Sequence, residues 1–253
     1  MSFSDVVTRL RAAGCVFAED EARMLLAAAR TPAELDAMVV RRADGMPLEH
    51  VVGWAEFCGL RVAVDPGVFV PRRRTEFLAR RAAALVPPGG VAVDLCCGSG
   101  AVGAVLAASA GRLDLHAADI DPAAVACARR NLAAAHVYEG DLFDPLPSAL
   151  RGRVDVLVAN VPYVPTGEVA FLPPEARDHE PRTALDGGAD GLRVARRVIA
   201  EAPSWLAPGG HLLFETSRRQ LPDALRAAAE HGLRPEPAAC DDLDATIVVA
   251  ALA

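Results

Sequence analysis

Asp94-Leu95-Cys96-Cys97-Gly98-Ser99-Gly100-Ala101-Val102-Gly103 joins a short apolar run, Val91–Leu95, to a stretch with helical character, Ala101–Ala110. Glycines at such a junction let the backbone turn tightly and let a ligand approach the helix N-terminus. The spacing Gly98-x-Gly100-x-x-Gly103 also fits a dinucleotide fingerprint, which is a weak signal alone. A tight turn with no ligand fits it as well.

Two more carboxylates narrow the choice. Asp119 ends the next expected strand, about 20 residues past the glycines, where a carboxylate can accept hydrogen bonds from ribose hydroxyls. Asp141, in Gly140-Asp141-Leu142-Phe143, follows the third strand and is placed to accept from an adenine amino group. Either one alone reads equally well as a solvated loop residue or a helix cap. With Asp94 they fall at the C-terminal ends of successive strands, the edge where open α/β sheets bind ligands.

Outward from this core, strands and helices alternate. Expected strands are Val91–Leu95, Leu113–Ala118, His136–Glu139, Val154–Ala159, His211–Glu215 and Thr246–Ala253. Expected helices are Thr75–Leu85, Ala101–Ala110, Pro122–Ala134 behind Asp121 as N-cap, Leu192–Ala202 and Leu221–His231, with a long loop from Pro162 to Gly191. Repeated βα units imply an α/β fold with a largely parallel sheet and helices on both faces. Upstream, Ser2 to Ala43 reads as two or three short helices, one starting at Thr31-Pro32. Val51–Phe57 and Leu60–Val64 read as two strands joined around Gly59, with a turn at Asp65-Pro66-Gly67. The expected divisions are a helical cap over residues 1–46, a β-hairpin linker over 47–74 and the main domain over 75–253.

Bulk composition fits one sizeable globular core: 253 residues, 52% hydrophobic and 23% charged. The net charge of -7 argues against a dedicated nucleic-acid binder, although Arg72-Arg73-Arg74 is a short basic run that reads equally as a solvated patch. No apolar run is long enough to span a bilayer, and Met1-Ser2-Phe3-Ser4-Asp5 lacks the features of a signal peptide, so the expected location is cytoplasmic. The six cysteines form no CxxC and no zinc-spaced cluster, so no metal is expected and the thiols read as buried and free. No Ser/His/Asp or Cys/His arrangement for nucleophilic catalysis is evident.

The chemistry is narrowed by Asn160-Val161-Pro162-Tyr163, directly after the fourth strand. Here the chain resembles the class I S-adenosylmethionine methyltransferases, and within them the HemK/PrmC protein-glutamine N5-methyltransferases, which carry Asn-Pro-Pro-Tyr at this place. The similarity runs from about Pro47 to the C-terminus. It includes Pro47-Leu48-Glu49-His50-Val51-Val52-Gly53, Val70-Pro71-Arg72 with Thr75-Glu76, and Glu180-Pro181-Arg182-Thr183-Ala184-Leu185-Asp186-Gly187-Gly188 with Asp190-Gly191-Leu192. The last segment does not belong to methyltransferases in general.

The resemblance implies a Rossmann-like class I fold with a seven-stranded, mostly parallel sheet. It implies S-adenosylmethionine as cofactor, held by Asp94, Cys96, Gly98, Gly100, Asp119, Asp141, Leu142 and Asn160. It implies that the Asn160 side-chain oxygen and the Val161 carbonyl accept the two N–H bonds of a target glutamine amide, with Pro162 and Tyr163 completing the site. It implies a peptide-chain release factor, methylated in its Gly-Gly-Gln tripeptide, as protein partner of a monomeric enzyme, with no membrane and no nucleic acid involved.

Three departures stand out. Val161 replaces the tetrad's first proline, adding an N–H that needs a partner and losing a fixed φ. Arg73 and Arg74 fall where the family commonly has Pro-x before Thr-Glu. Fewer than 50 residues precede Pro47, so the expected cap is shorter than the family's. The rival readings are methylation of another protein such as a ribosomal protein, methylation of adenine N6 or guanine N2 in nucleic acid, a nicotinamide-dependent oxidoreductase, and a non-catalytic scaffold.

Overall fold

The computed structural model describes residues 1–253. Four helices open the chain: α1 Phe3–Ala12, α2 Ala18–Ala28, α3 Pro32–Ala43 and α4 Leu48–Val52. Local chemistry starts two of them. Ser2 and Asp5 form a reciprocal capping box on α1, and the Thr31 hydroxyl accepts from the Glu34 amide (3.1 Å) with Pro32 in the first turn of α3. Their apolar stripes meet in one cluster around Val6, Leu10, Leu25, Leu35 and Val39.

A hairpin follows, β1 Trp54–Phe57 and β2 Leu60–Ala63, antiparallel with Phe57 opposite Leu60. Cys58 (φ 52°) and Gly59 (φ 77°) both lie in the left-handed region, which a two-residue turn of this twist requires. The expected strand began three residues too early. Val51 and Val52 close α4, and Gly53 caps it in the left-handed conformation with its amide on the Glu49 carbonyl (2.8 Å). The β preference of the valine pair yields to that cap and to the burial of Val51 against the helices.

The main body comprises α5 Thr75–Ala83, β3 Val91–Leu95, α6 Ala101–Ser109, β4 Asp114–Asp119, α7 Pro122–Asn131, β5 His136–Glu139 and β6 Val154–Ala159. It continues through α8 Pro174–His179, α9 Arg182–Leu185, α10 Arg193–Glu201, β7 Leu206–Glu215, α11 Leu221–Glu230, β8 Leu233–Cys240 and β9 Ala245–Leu252. Seven strands form one sheet in the order β5-β4-β3-β6-β7-β9-β8. β9 runs antiparallel to both its neighbours, and the other pairs are parallel. Every residue of β3 is buried, as expected of a central strand covered on both faces. One core joins Leu95, Leu157, Phe214 and Trp205 to α10 and α11; the other joins Val93's neighbours Ala92, Val156 and Leu213 to α5 and α6.

Two features depart from the periodicity. β8 is a strand with no matching expectation, because Pro235 and Pro237 break the alternating pattern; the edge of a sheet tolerates them since one side of the strand needs no donors. The segment expected as a long loop after Pro162 is instead built from α8, α9 and a 3₁₀ turn over Thr166–Phe171, pinned by a bridge between Val164 and Asp186. Such short turns leave too few residues for a 3.6-residue period to show.

Candidate active site

The strand order reverses at β3, with β4 on one side and β6 on the other. The loops leaving the C-terminal ends of these strands diverge there and open a crevice. A cleft of about 290 Å³ occupies it, lined by Asp94, Cys96, Gly98, Ser99, Asp119, Ile120 and Asn160 through Val164, and on its outer side by Leu172, Glu175 and Leu185.

The loop after β3 is held by carboxylates close by in sequence. Asp94 Oδ2 accepts from the Gly103 amide (2.9 Å). A Cβ on Gly103 would lie 3.2 Å from that same oxygen and 3.1 Å from Leu132, so the third glycine seats α6 on the strand. Packing on Leu132 accounts for Gly100 and Gly103, while Gly98 turns left-handed (φ 55°) at the cleft. Burial pushes the Asp94 carboxyl up to about 7, against the opposing pull of the Gly103 hydrogen bond. Asp119 Oδ2 accepts from the Gly98 amide (2.8 Å) and Oδ1 from the Asp121 amide (2.9 Å), fixing the turn of both loops. Burial also raises Asp119 above the ordinary carboxylate range. Asp121 caps α7 through the Ala123 amide, as its position in sequence suggested. Cys96 holds the left-handed conformation (φ 54°) in this loop, and burial holds its thiol protonated. The Ser99 hydroxyl is buried against the cleft with no hydrogen-bond partner.

Not every expected cofactor residue reaches the cleft. Asp94, Cys96, Gly98, Asp119 and Asn160 line it, whereas Gly100, Asp141 and Leu142 do not. Gly100 packs on Leu132. Asp141 is engaged by both nitrogens of the Arg197 fork (2.7 and 3.1 Å), and Leu142, left-handed at φ 49°, is buried in the core.

Across the cleft, Asn160-Val161-Pro162-Tyr163 lines the wall in full. No side-chain hydrogen bond of the structure involves the Asn160 carboxamide, which lines the cleft, while Val161 and Pro162 are buried. The N–H that valine adds finds no backbone acceptor. The Tyr163 hydroxyl donates to Glu215 Oε1 (2.8 Å), and burial together with that carboxylate keeps the phenol protonated well above its usual range. Gln220 Nε2 donates to the Tyr163 carbonyl (2.9 Å) and to that of Asp190 (2.8 Å).

The Glu180–Leu192 segment now has a physical role. A Cβ on Gly187 would come within 2.5 Å of the Pro162 carbonyl, and one on Gly191 (φ 79°) would overlap Tyr163 O and Gln220 Nε2. These glycines let the segment cradle the tetrad's backbone, with the Gly187 amide donating to Val164 O (2.8 Å). The Arg72–Arg74 run divides in the same way. Arg72 pairs with the buried Glu180 (2.5 Å) and lies over Phe69, and Arg74 approaches Glu215 (3.5 Å); both line the cleft, while Arg73 is exposed. Arg42, buried in α3, bridges Glu21 and the cleft-lining Glu175 (2.6 Å), tying the helical cap to the outer wall. Glu215 and Gln220 carry no motif in a single sequence, and Glu180, although it opens the family-like segment, carries nothing there that marks it as the partner of Arg72. The one signal for Glu215 was its place at the C-terminal end of a strand.

The Methyltransferase small domain family matches residues 59–171. The release factor glutamine methyltransferase of Geobacter sulfurreducens is 40% identical over 73% of this chain and 66% of its own length. That of Streptomyces coelicolor is 40% identical over 72% and 67%. The 4-amino-L-phenylalanine/4-methylamino-L-phenylalanine methyltransferase of Streptomyces pristinaespiralis is 38% identical over 81% of this chain and 73% of that one. In fold, a methyltransferase from Pyrococcus furiosus superposes with a TM-score of 0.57 at 16% identity, covering 77% of this chain and 89% of that one. The chain thus spans about two thirds of the length of the first of these relatives.

Proposed function

The chain belongs to the family of release factor glutamine methyltransferases, and from that premise we propose that it transfers a methyl group from S-adenosylmethionine to the side-chain nitrogen of a glutamine in a peptide-chain release factor, in the cytoplasm. The observation that carries this reading is the Asn160 carboxamide, free of protein partners on the wall of a cleft whose other wall is the Asp94–Asp119 rim.

The residues present fit the cofactor. Ser99 offers a buried hydroxyl without a partner, Asp119 a carboxylate beside the glycine turn, and Ile120 an apolar surface next to it. Bound there, S-adenosylmethionine would supply an electrophilic methyl on a sulfonium. The protein's own task is the acceptor. An amide nitrogen is a poor nucleophile because its lone pair is delocalised into the carbonyl. Asn160 Oδ1 and the Val161 carbonyl would accept its two N–H bonds, hold the nitrogen out of conjugation and offset the positive charge that grows on it. Tyr163, locked by Glu215 and Gln220, would supply a flat wall for the amide. No strong base is needed before attack: the nitrogen becomes acidic only as it gains charge, and it would then lose one N–H proton to water as the S–CH3 bond breaks to leave a neutral thioether.

A second reading rests on the relative from Streptomyces pristinaespiralis, which aligns with more of this chain than the two release factor enzymes described above. An arylamine poses the same chemical problem, a nitrogen lone pair delocalised into a neighbouring π system. Arg74, held only by its 3.5 Å approach to Glu215, lines the cleft and is of a kind to pair with the carboxylate of a free amino acid.

The deciding assay offers methyl-labelled S-adenosylmethionine with a release factor, a ribosomal protein, nucleic acid and 4-amino-L-phenylalanine side by side. Label on the Gly-Gly-Gln glutamine is expected. Label confined to the free amino acid would establish the second reading, and label confined to nucleic acid would reject both.

A further inference from the structure

Glu215 is almost fully buried, does not line the cleft, and has both carboxylate oxygens engaged. Oε1 accepts from the Tyr163 hydroxyl and Oε2 from the Thr75 hydroxyl, each at 2.8 Å. Those donors come from two separate segments of the same wall, the one facing the Asp94–Asp119 rim. Tyr163 closes the tetrad after β6, and Thr75 begins α5 directly after the Arg72–Arg74 run; both line the cleft. Arg74 adds a weaker approach to the same carboxylate (3.5 Å). The segments are 52 and 140 residues from Glu215 in the chain, so no local preference holds them together.

Resting on the proposed amide methylation, we propose that Glu215 is a positioning residue: it ties two segments of the acceptor wall together through Tyr163 and Thr75 and thereby fixes the aim of the acceptor site. A tyrosine ring otherwise turns about χ1 and χ2, and a displacement of about 1 Å at a reacting nitrogen costs on the order of a hundredfold in rate. The carboxylate removes that freedom from behind the wall without touching the substrate. Gln220 restrains the same residue through its carbonyl, which leaves the hydroxyl as the handle that sets the ring.

The test compares wild type with Glu215→Gln, Glu215→Ala, Tyr163→Phe and the double variant Glu215→Ala/Tyr163→Phe. Each is assayed for methyl transfer to a release factor and for S-adenosylmethionine affinity by calorimetry. Glu215→Ala should lower kcat about 10–100-fold with cofactor affinity within threefold of wild type. Glu215→Gln should recover most of the loss, because hydroxyls can accept as well as donate and the amide can serve both. Adding Tyr163→Phe to Glu215→Ala should cost nothing further. Unchanged kcat in Glu215→Ala, or a parallel loss of cofactor affinity and turnover, would overturn the proposal; so would full additivity in the double variant. If Glu215→Ala fails to fold, Tyr163→Phe alone still decides, since wild-type turnover without the phenol hydroxyl is incompatible with it. A wild type inactive on every release factor would defeat the acceptor assignment separately. The linkage is then read by ultraviolet resonance Raman in a Tyr138→Phe background, where Tyr163 is the remaining tyrosine. Its doublet should report a strong donor in wild type and lose that signature in Glu215→Ala; an unchanged doublet rejects the linkage.

Discussion

The two walls of the cleft are built on different scales. On the cofactor side, the hydrogen bonds that shape the loops join neighbours: Asp94 to Gly103 is 9 residues, Asp119 to Asp121 is 2, and Asp119 to Gly98 is 21. On the acceptor side they span the chain: Gln220 to Tyr163 is 57 residues, Arg72 to Glu180 is 108 and Thr75 to Glu215 is 140. A wall set by local turns serves a cofactor that many enzymes share. A wall set by distant elements can be re-aimed by changing any one of them, as suits a site where specificity varies among relatives.

The sharpest break of this comparison is Asn160→Ala. Turnover should fall by about 10²–10³-fold, the scale of losing one aimed polar group, while S-adenosylmethionine affinity stays within about threefold. Labelled transfer and calorimetry on the same preparation check it, and equal losses in both would merge the two walls into one. Next is Gly191→Ala, which places a methyl against Tyr163 O and Gln220 Nε2 at a left-handed position. It should cost about 2–4 kcal/mol of stability, read as a shifted denaturation midpoint, with turnover falling and cofactor affinity retained.

Asp119→Ala acts on the opposite wall. It should weaken cofactor binding by about 1–3 kcal/mol, from lost charge-assisted bonds and a loosened Gly98 turn, with the kcat of the saturated enzyme nearly intact. The smallest effect is a pH dependence. Asp94 titrates at about 7 in the folded chain and at an ordinary value when unfolded, so the native state binds the extra proton. Its contribution therefore favours the fold at low pH and is lost as pH rises from about 4 through about 7. Asp94→Asn keeps an acceptor for Gly103 but cannot ionise. It should flatten the stability profile across that window and exceed wild type by on the order of 1–3 kcal/mol at pH 8, measured by urea denaturation.

The contrast in scale also marks what could be read from residues alone. Val91–Leu95, the glycine turn, Asp121 as helix cap and the tetrad's place after Val154–Ala159 were all legible, because periodicity, turn chemistry and capping act within a few residues. Asp141 illustrates the limit. Its place after a strand suggested a ligand contact, yet its carboxylate is turned to Arg197, 56 residues on, which no local rule anticipates. The prolines of β8 hid a strand because their tolerance depends on which strand ends up at the edge.

By itself, the sequence determined the alternation of elements, the glycine loop and the residue types available to bind an amide, since these follow from backbone preference and hydrophobic period. Only the tertiary structure decided that Glu215, Gln220 and Glu180 would stand behind the tetrad and its facing loop. Distances between segments 50 to 140 residues apart are set when the sheet closes and its two cores pack, and a linear string of residues contains no record of them.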